Sequence, residues 1–392
     1  MSTSIIPTRA LAFRPSESVE RIIATSRRVQ QPHSSGNLVS LAMGEPDFDT
    51  PHRIVEAAVE AAGRGRTHYS QLLGESSLRA RLAEDVGALS GAVVDPADIL
   101  ITHGGTGGLA AAILGIVGPG DKVVIPDPTY SLYADLVSMA GGTAVHVPLR
   151  NDLHWDLDAL AAALPGARLF VFCNPGNPTG IVHTRDELEA LSRLLDGTDT
   201  LVISDEAYAS LDFTGASFAS ALTIGGLVDR TVYCQTFSKS YAMTGWRVGY
   251  LWGPSAVISA AARIHNTFNG SVNTFVQDAA LVALEQCADD VARMKEAYAR
   301  RRELMREALQ TVPGLELSEP EGAFYFFPRY DLDLPSVELV ARLREHGVAV
   351  RPGAEFGPSG ENRLRLSYAA SDEAIRTGVA RLAEAMTALR SR

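Results

Sequence analysis

A chain of 392 residues with 46% hydrophobic and 21% charged content can fill a large core and more than one domain, and is no disordered or low-complexity polymer. Its net charge of −11 argues against nucleic-acid or anionic-membrane partners, which need a broad basic face, but leaves room for a local pocket around one phosphate. Cys173, Cys234 and Cys287 are far apart and form no C-x-x-C pair or metal-spaced cluster. They read as reduced thiols of a cytoplasmic protein without a structural metal.

The N-terminal MSTSIIPTRALAF has no apolar run behind a basic start, so it does not read as a secretory signal. The first strand expected in the chain is 99–102, followed by His103-Gly104-Gly105-Thr106-Gly107-Gly108 and a helix over 106–117. That helix is the longest apolar stretch; it is too short to span a bilayer and is broken by Gly115. A glycine-rich turn opening a helix offers free backbone N–H groups and a positive dipole end to a phosphate. The segment 105–110 also fits G-x-G-x-x-A. A phosphate cradle, a nicotinamide site and purely structural glycines all stay open at this motif.

Strands follow at 122–126, 143–148, 168–172, 201–205, 231–235 and 248–252, with helices at 131–140 and 185–195 among them. The alternation predicts an α/β fold, a mainly parallel sheet with helices on both faces. In such a sheet ligands gather beyond the carboxyl ends of the strands. Strand 168–172 leads into Asn174-Pro175-Gly176-Asn177-Pro178-Thr179-Gly180, a rigid loop whose asparagines can be aimed at a ligand; the plainer reading is a double turn. Strand 201–205 ends on Asp205, ahead of Glu206, Ala207 and Tyr208. A carboxylate there needs a cationic or hydrogen-bonding partner, and it can keep a heteroaromatic nitrogen protonated; an acidic helix cap competes with that reading. Strand 231–235 leads to Ser238-Lys239-Ser240 and on to Arg247. Desolvation there makes a lysine a nucleophilic free amine, while a solvated surface lysine is the plain alternative. Ser238 and Arg247 are placed to reach a phosphate. The Gly-Lys-Ser/Thr of a P-loop is absent.

From about residue 271 the pattern changes to helices at 274–284 and 288–311, a Phe/Tyr-rich strand at 323–327, a helix at 336–346, strands at 348–351 and 363–368, and a last helix from Ser371. This is α+β character. The predicted division is a large domain over 45–285 and a smaller one made of 1–44 and 286–392, with the segment before Leu41 packed on the smaller.

The signature Ser238-Lys239-Ser240-Tyr241-Ala242-Met243-Thr244-Gly245-Trp246-Arg247-Val248-Gly249-Tyr250, with the loop 174–180, resembles the fold-type-I aminotransferases of class I/II, from Gly44-Glu45-Pro46-Asp47 to Arg363-Leu364-Arg365. The resemblance implies a three-layer α/β/α fold and a pyridoxal 5′-phosphate cofactor carried by Lys239 as a Schiff base. It implies Asp205 at the pyridine nitrogen, Asn177 and Tyr208 at the phenolic oxygen, and Tyr130 stacked on the ring. Gly105, Thr106, Ser238 and Arg247 match phosphate-binding positions. Tyr69 is similar to a tyrosine that reaches the phosphate of the neighbouring subunit, which implies a homodimer with shared active sites. Arg365, with the Gly44 backbone beside it, looks like the clamp for the substrate α-carboxylate, and Asn177 stands with them. The implied reaction moves an amino group between an L-amino acid and a 2-oxo acid by ping-pong steps.

Two departures bear on specificity. Thr106 stands where relatives that read acidic side chains carry a basic residue, and 265–271 holds no arginine. The expectation is that dicarboxylates are not the preferred substrates, or are read by another residue. Three alternatives remain: elimination, cyclisation or oxidation of an amino acid on the same constellation; a cofactor-binding sensor module, which would need a DNA-binding domain that the residues ahead of the first matched motif leave little room for; and a nicotinamide oxidoreductase, resting on 105–110 alone.

Overall fold

A computed structural model describes residues 13–29 and 38–391. Its strands up to residue 252 are β1 (Val39–Ser40), β2 (Ile99–Thr102), β3 (Lys122–Asp127), β4 (Thr143–Pro148), β5 (Leu169–Cys173), β6 (Leu201–Asp205), β7 (Thr231–Thr236) and β8 (Gly249–Trp252). All but β1 form one sheet in the order β2-β8-β7-β6-β5-β3-β4. β8 alone runs antiparallel to its neighbours β2 and β7; the pairs among β3 to β7 are parallel. The sheet is thus mainly parallel, as the alternating pattern predicts.

Burial on both sides explains the continuous apolar runs. In β5, Leu169, Val171 and Cys173 join the core under the helices Gly104–Ile116, Leu132–Ala140 and Ser255–Asn269. Phe170 and Phe172 face the opposite layer with Trp155, Leu188 and Leu191 of the helix Arg185–Leu194. Each strand therefore feeds two cores, which is the three-layer α/β/α arrangement. Gly115 marks a helix crossing: a Cβ there would lie 3.3 Å from the Ala261 backbone nitrogen. The helix Arg185–Leu194 begins in a capping box between Thr184 and Glu187.

The C-terminal part contains β9 (Leu315–Glu316), β10 (Tyr325–Phe326), β11 (Arg329–Tyr330), β12 (Val348–Ala349), β13 (Arg351–Pro352) and β14 (Leu364–Ser367), with the helices Ala288–Leu309, Ser336–Glu345 and Asp372–Arg390. β10, β14 and β13 make an antiparallel sheet. The strand expected over 348–351 divides, because its first half pairs with β1 and its second half with β14.

The segment before Leu41 also divides. β1 joins the C-terminal part by pairing with β12. The helix Glu17–Thr25 instead lies on the helix Leu132–Ala140 of the large sheet, where Arg21 Nε donates to the Ser138 carbonyl at 3.0 Å and Thr25 Oγ1 lies 2.8 Å from Ser138 Oγ. Packing of that whole segment on the C-terminal part, as expected from sequence, does not hold for this helix. Residues 1–12 and 30–37 of the segment lie outside the described residues. Among the described residues no helix is long and apolar enough to cross a membrane.

Candidate active site

The carboxyl ends of β2, β3, β5, β6 and β7 share one edge of the sheet, and the chemistry-bearing residues gather beyond it. A cavity of about 580 Å³ opens there. Gly44, Gly105, Thr106, Tyr130, Asn177, Asp205, Tyr208, Ser238, Lys239, Arg247 and Arg365 all line it. Tyr69 does not. It is 96% exposed, away from the cavity of its own chain.

β2 runs directly into the helix Gly104–Ile116, so Gly105 and Gly107 lie in its opening turns and not in a loop ahead of it. The first N–H groups of that helix have no intrahelical acceptor and face the cavity end of the sheet. Gly104 has φ +70°, and a Cβ there would meet Arg247 Nη2 at 2.6 Å. Glycine therefore lets a guanidinium lie against the helix start. Arg247 Nη1 donates to the Thr244 carbonyl at 2.8 Å. Ser238 Oγ accepts from Thr236 Oγ1 at 2.9 Å, which leaves its own hydroxyl hydrogen to give. A helix terminus, a hydroxyl and a guanidinium together make an anion cradle.

Lys239 lies in the short helical turn Phe237–Ser240 behind β7. Its Nζ donates to the Gly44 carbonyl at 2.6 Å and stands about 6 Å from the Tyr208 and Phe324 rings. Burial first, then the charges of Arg365 and Arg247, push its pKa down to about 8 against the pull of Glu45 and Asp205. It is the desolvated amine of the sequence reading and not a surface charge.

Asp205 closes β6 and is 6% exposed. Its Oδ2 accepts from the Tyr133 hydroxyl at 2.7 Å and its Oδ1 from the Ala207 N–H at 3.3 Å. Burial raises its pKa, while the Tyr133 bond, the Ala207 N–H and Lys239 act the other way. The helix-cap alternative fails, since the next helical turn is only Ala209–Leu211, with Tyr208 ahead of it. Glu206 points elsewhere, as the strand alternation requires, and is held by Ser204, Ser220 and the Ala221 N–H.

The two asparagines of the rigid loop separate. Asn174 anchors the loop, donating to the Ala219 carbonyl at 3.1 Å and accepting from the His183 N–H at 2.9 Å. Asn177 faces the cavity, where its Oδ1 accepts from Arg365 Nη1 at 2.9 Å. The expectation that both asparagines are aimed at a ligand is corrected to one. Arg365 Nη2 donates to the Ala42 carbonyl at 2.7 Å, and its Nε is buried without a partner. Its guanidinium lies 4.4 Å from the centre of the Tyr325 ring.

Several cavity residues escaped the sequence reading. The Tyr325 hydroxyl lies 2.9 Å from that of Tyr208, and Gly44 has no room for a side chain because the Tyr325 hydroxyl fills the place of a Cβ. The aromatic run 323–327 held that signal, but it read only as a Phe/Tyr-rich strand. Arg28, from the N-terminal segment, donates to the Tyr130 hydroxyl at 3.3 Å. Behind the loop, His154, His183 and Glu187 come within 4.8 Å of one another, a cluster that sequence spacing did not announce. Glu187 also accepts from the Trp155 and Thr184 N–H groups at 3.2 and 2.8 Å, so it ties three segments together.

An anion cradle, a weakly basic amine, a buried carboxylate and a guanidinium that has no acidic hydrogen-bond partner among the described residues surround one cavity. The family pattern of the class I and II aminotransferases matches residues 36–382, and the chain belongs to that family. It is an aminotransferase, an enzyme that transfers an amino group between amino and oxo acids. It is 36% identical to the aspartate/prephenate aminotransferase of Thermus thermophilus over 385 residues, covering 96% of this chain and 98% of that one. It is 35% identical to the arginine–pyruvate transaminase AruH of Pseudomonas aeruginosa over 355 residues, covering 88% and 89%. Among solved structures, the aromatic aminotransferase of Pyrococcus horikoshii superposes with a TM-score of 0.88 at 33% identity, covering 95% of this chain and 99% of that one. The aspartate aminotransferase of Thermus thermophilus with maleate gives 0.84 at 34%, covering 96% and 100%. These relatives favour amino transfer over the elimination, oxidation, sensor and nicotinamide readings.

Proposed function

We propose that the chain is a pyridoxal 5′-phosphate-dependent aminotransferase that takes the amino group of an L-amino acid and passes it to a 2-oxo acid in two half-reactions, with Lys239 as the catalytic base. The observation that carries this reading is Lys239 itself, an amine with a pKa of about 8 facing an unneutralised Arg365 across the cavity.

The residues present fit the cofactor. The free N–H groups at Gly105 and Thr106, the Ser238 hydroxyl and Arg247 suit a phosphate. Asp205, buried and short of a cation, suits a pyridinium nitrogen. When bound, pyridoxal phosphate supplies an electrophilic aldehyde and a ring that takes up the electron pair left at Cα. Asp205 would hold the ring nitrogen protonated, and Tyr133 holds Asp205 in place. Asn177 and Tyr208 would donate to the phenolic oxygen, and Tyr130 would lie against the ring. Arg365 grips the substrate α-carboxylate through a bidentate pair. Lys239, as a free amine, would take the proton from the substrate Cα and give it back two bonds away.

The relatives are named for acidic, aromatic and basic amino acids, so they do not choose a substrate for this chain. Thr106 at the cradle and the absence of arginine in 265–271 support side chains without a carboxylate. The exposed Tyr69 supports a homodimer in which each chain completes the other's site. Three unpaired, buried cysteines support work in the reducing cytoplasm. We also retain the division into 45–285 and the joint unit 1–44 with 286–392, qualified by the placement of the helix Glu17–Thr25.

Titration of the holo form with single amino acids tests the reading. The visible absorbance of the protein-bound aldehyde should disappear with donor amino acids and return on adding a 2-oxo acid. Borohydride should fix the cofactor to Lys239. Release of ammonia without amino transfer, or label on another residue, would overturn it.

A further inference from the structure

Two antiparallel strands carry the guanidinium end of the cavity. In the register of β13 and β14, Arg351 stands directly opposite Arg365, so both side chains leave the same face, about 5 Å apart at Cβ. Both line the cavity. Like charges in that position repel, and the chain treats the two differently. Among the described residues Arg365 donates to the neutral oxygens of Asn177 and Ala42 alone, and its Nε has no partner. Its charge is left for a ligand. Arg351 is joined instead to the carboxylate of Glu355.

Glu355 is a cavity residue in its own right, 5% exposed, and its second oxygen, Oε2, is buried without a hydrogen-bond partner. Its backbone is pinned on both sides. The Ala354 N–H donates to Ser336 Oγ at 3.2 Å, and the Phe356 carbonyl accepts from the Thr129 N–H at 2.8 Å. Thr129 precedes Tyr130, so the turn carrying Glu355 is fastened to the loop that lines the opposite wall. Displacing the Glu355 carboxylate from Arg351 would strand a buried charge.

We propose that Glu355 occupies, from within the chain, a second carboxylate site at Arg351, and so biases the enzyme against amino acids whose side chains end in a carboxylate. A substrate whose α-carboxylate is held by Arg365 would send its side chain into the same guanidinium end of the cavity. A distal carboxylate arriving there finds Arg351 already neutralised and meets the charge of Glu355. A neutral side chain leaves the pair undisturbed. Glu355 acts through Arg351 and is a positioning residue for specificity. The inference rests on the aminotransferase reading and deepens it.

The test compares glutamate with alanine as amino donor, and succinate with propionate as a bound inhibitor, on the holoenzyme. In the unmodified protein succinate should bind no tighter than propionate, because its second carboxylate gains nothing. In Glu355→Gln the ratio of kcat/KM for glutamate to that for alanine should rise at least about tenfold, the discrimination that one unmasked ionic contact supplies, and succinate should gain on propionate by a similar factor. In the double variant Arg351→Met with Glu355→Gln both gains should vanish. Succinate binding the unmodified protein more than tenfold tighter than propionate would overturn the proposal, whatever the variants do. So would an unchanged ratio in Glu355→Gln, a gain that survives loss of Arg351, or a selective loss of lysine and arginine as donors, which would make Glu355 a receptor for cationic side chains. Absence of amino transfer from any amino acid by the unmodified protein would instead count against the aminotransferase reading, and the inhibitor comparison would still decide the role of Glu355.

Discussion

Lys239 occupies a place where an ammonium loses much of its hydration, and two arginines add repulsion. Its proton leaves near pH 8 in place of the ordinary 10.5. The folded chain thus holds that proton less tightly than the unfolded one, and unfolding takes up a proton between these values. Stability therefore rises with pH through the window from about 8 to 10.5. In the cofactor-free protein, Lys239→Met should be relatively more stable below pH 8 and should lose that rise, as melting curves across the window would show. Tyr133 supports a second prediction. Its hydroxyl donates to Asp205 at 2.7 Å inside a buried site, a bond to a charged group worth about 1.5–3 kcal/mol. Tyr133→Phe should leave Asp205 poorly held and weaken cofactor binding roughly tenfold or more, measurable by fluorescence titration, with a fall in Tm of a few degrees from the lost buried bond. Lys239 and Asp205 could be read from sequence because each ends or follows a buried strand, where a charged residue demands a reason. Tyr133, Tyr325 and Arg28 could not. Each looks like an ordinary core aromatic or surface cation until folding sets it against a residue far away in the chain.

At the level of elements, the cavity depends on a clasp between two distant pieces. The turn Gly353–Phe356 follows β13, and the loop after β3 meets it. The Thr129 N–H donates to the Phe356 carbonyl at 2.8 Å and the Ser359 N–H to Asp127 Oδ2 at 2.9 Å. Gly357 lies at the contact with φ +137°, and a Cβ there would collide with Asp127 Oδ1. Gly357→Ala meets both an unfavourable backbone region and an occupied space, which together cost about 1–3 kcal/mol. It should lower Tm and raise KM together, because Glu355, Phe356 and Tyr130 line the cavity from the two sides of this contact. A variant that lowers Tm with KM unmoved would separate the clasp from the site. Sequence pattern revealed the large sheet because strands buried on both faces are continuous apolar runs. It missed the break within 348–351, since Val348–Ala349 and Arg351–Pro352 differ in pairing partner and not in composition. It also placed the whole segment before Leu41 on the C-terminal part, whereas the helix Glu17–Thr25 within it lies on the helix Leu132–Ala140. The helix Glu17–Thr25 has no buried side chain, so its pattern named no partner, and its position comes from hydrogen bonds at Ser138.

For the whole molecule, Tyr69 poses the sharpest question. It is 96% exposed, yet its backbone is firmly set. The Ser70 N–H donates to Ser271 Oγ at 3.2 Å, and Gln277 Nε2 donates to Ser70 Oγ at 3.0 Å. Leu72, Val59 and Phe268 are large exposed apolar side chains as well. A large aromatic on an anchored backbone, turned away from its own cavity, suits a partner chain, and a two-fold dimer would place each Tyr69 at the other chain's site. Complementation decides this directly. Lys239→Ala removes the amine from one site, and Tyr69→Ala removes the ring that chain lends to its partner. Each homodimer should be strongly impaired. After subunit exchange, random reassortment makes about half of the dimers hybrid. In every hybrid one site joins the intact Lys239 of the Tyr69 variant to the intact Tyr69 of the Lys239 variant. Activity should therefore climb to about a quarter of the unmodified level. Sites built from one chain alone would show no such recovery, because each hybrid would then keep one site without its amine and one without its tyrosine.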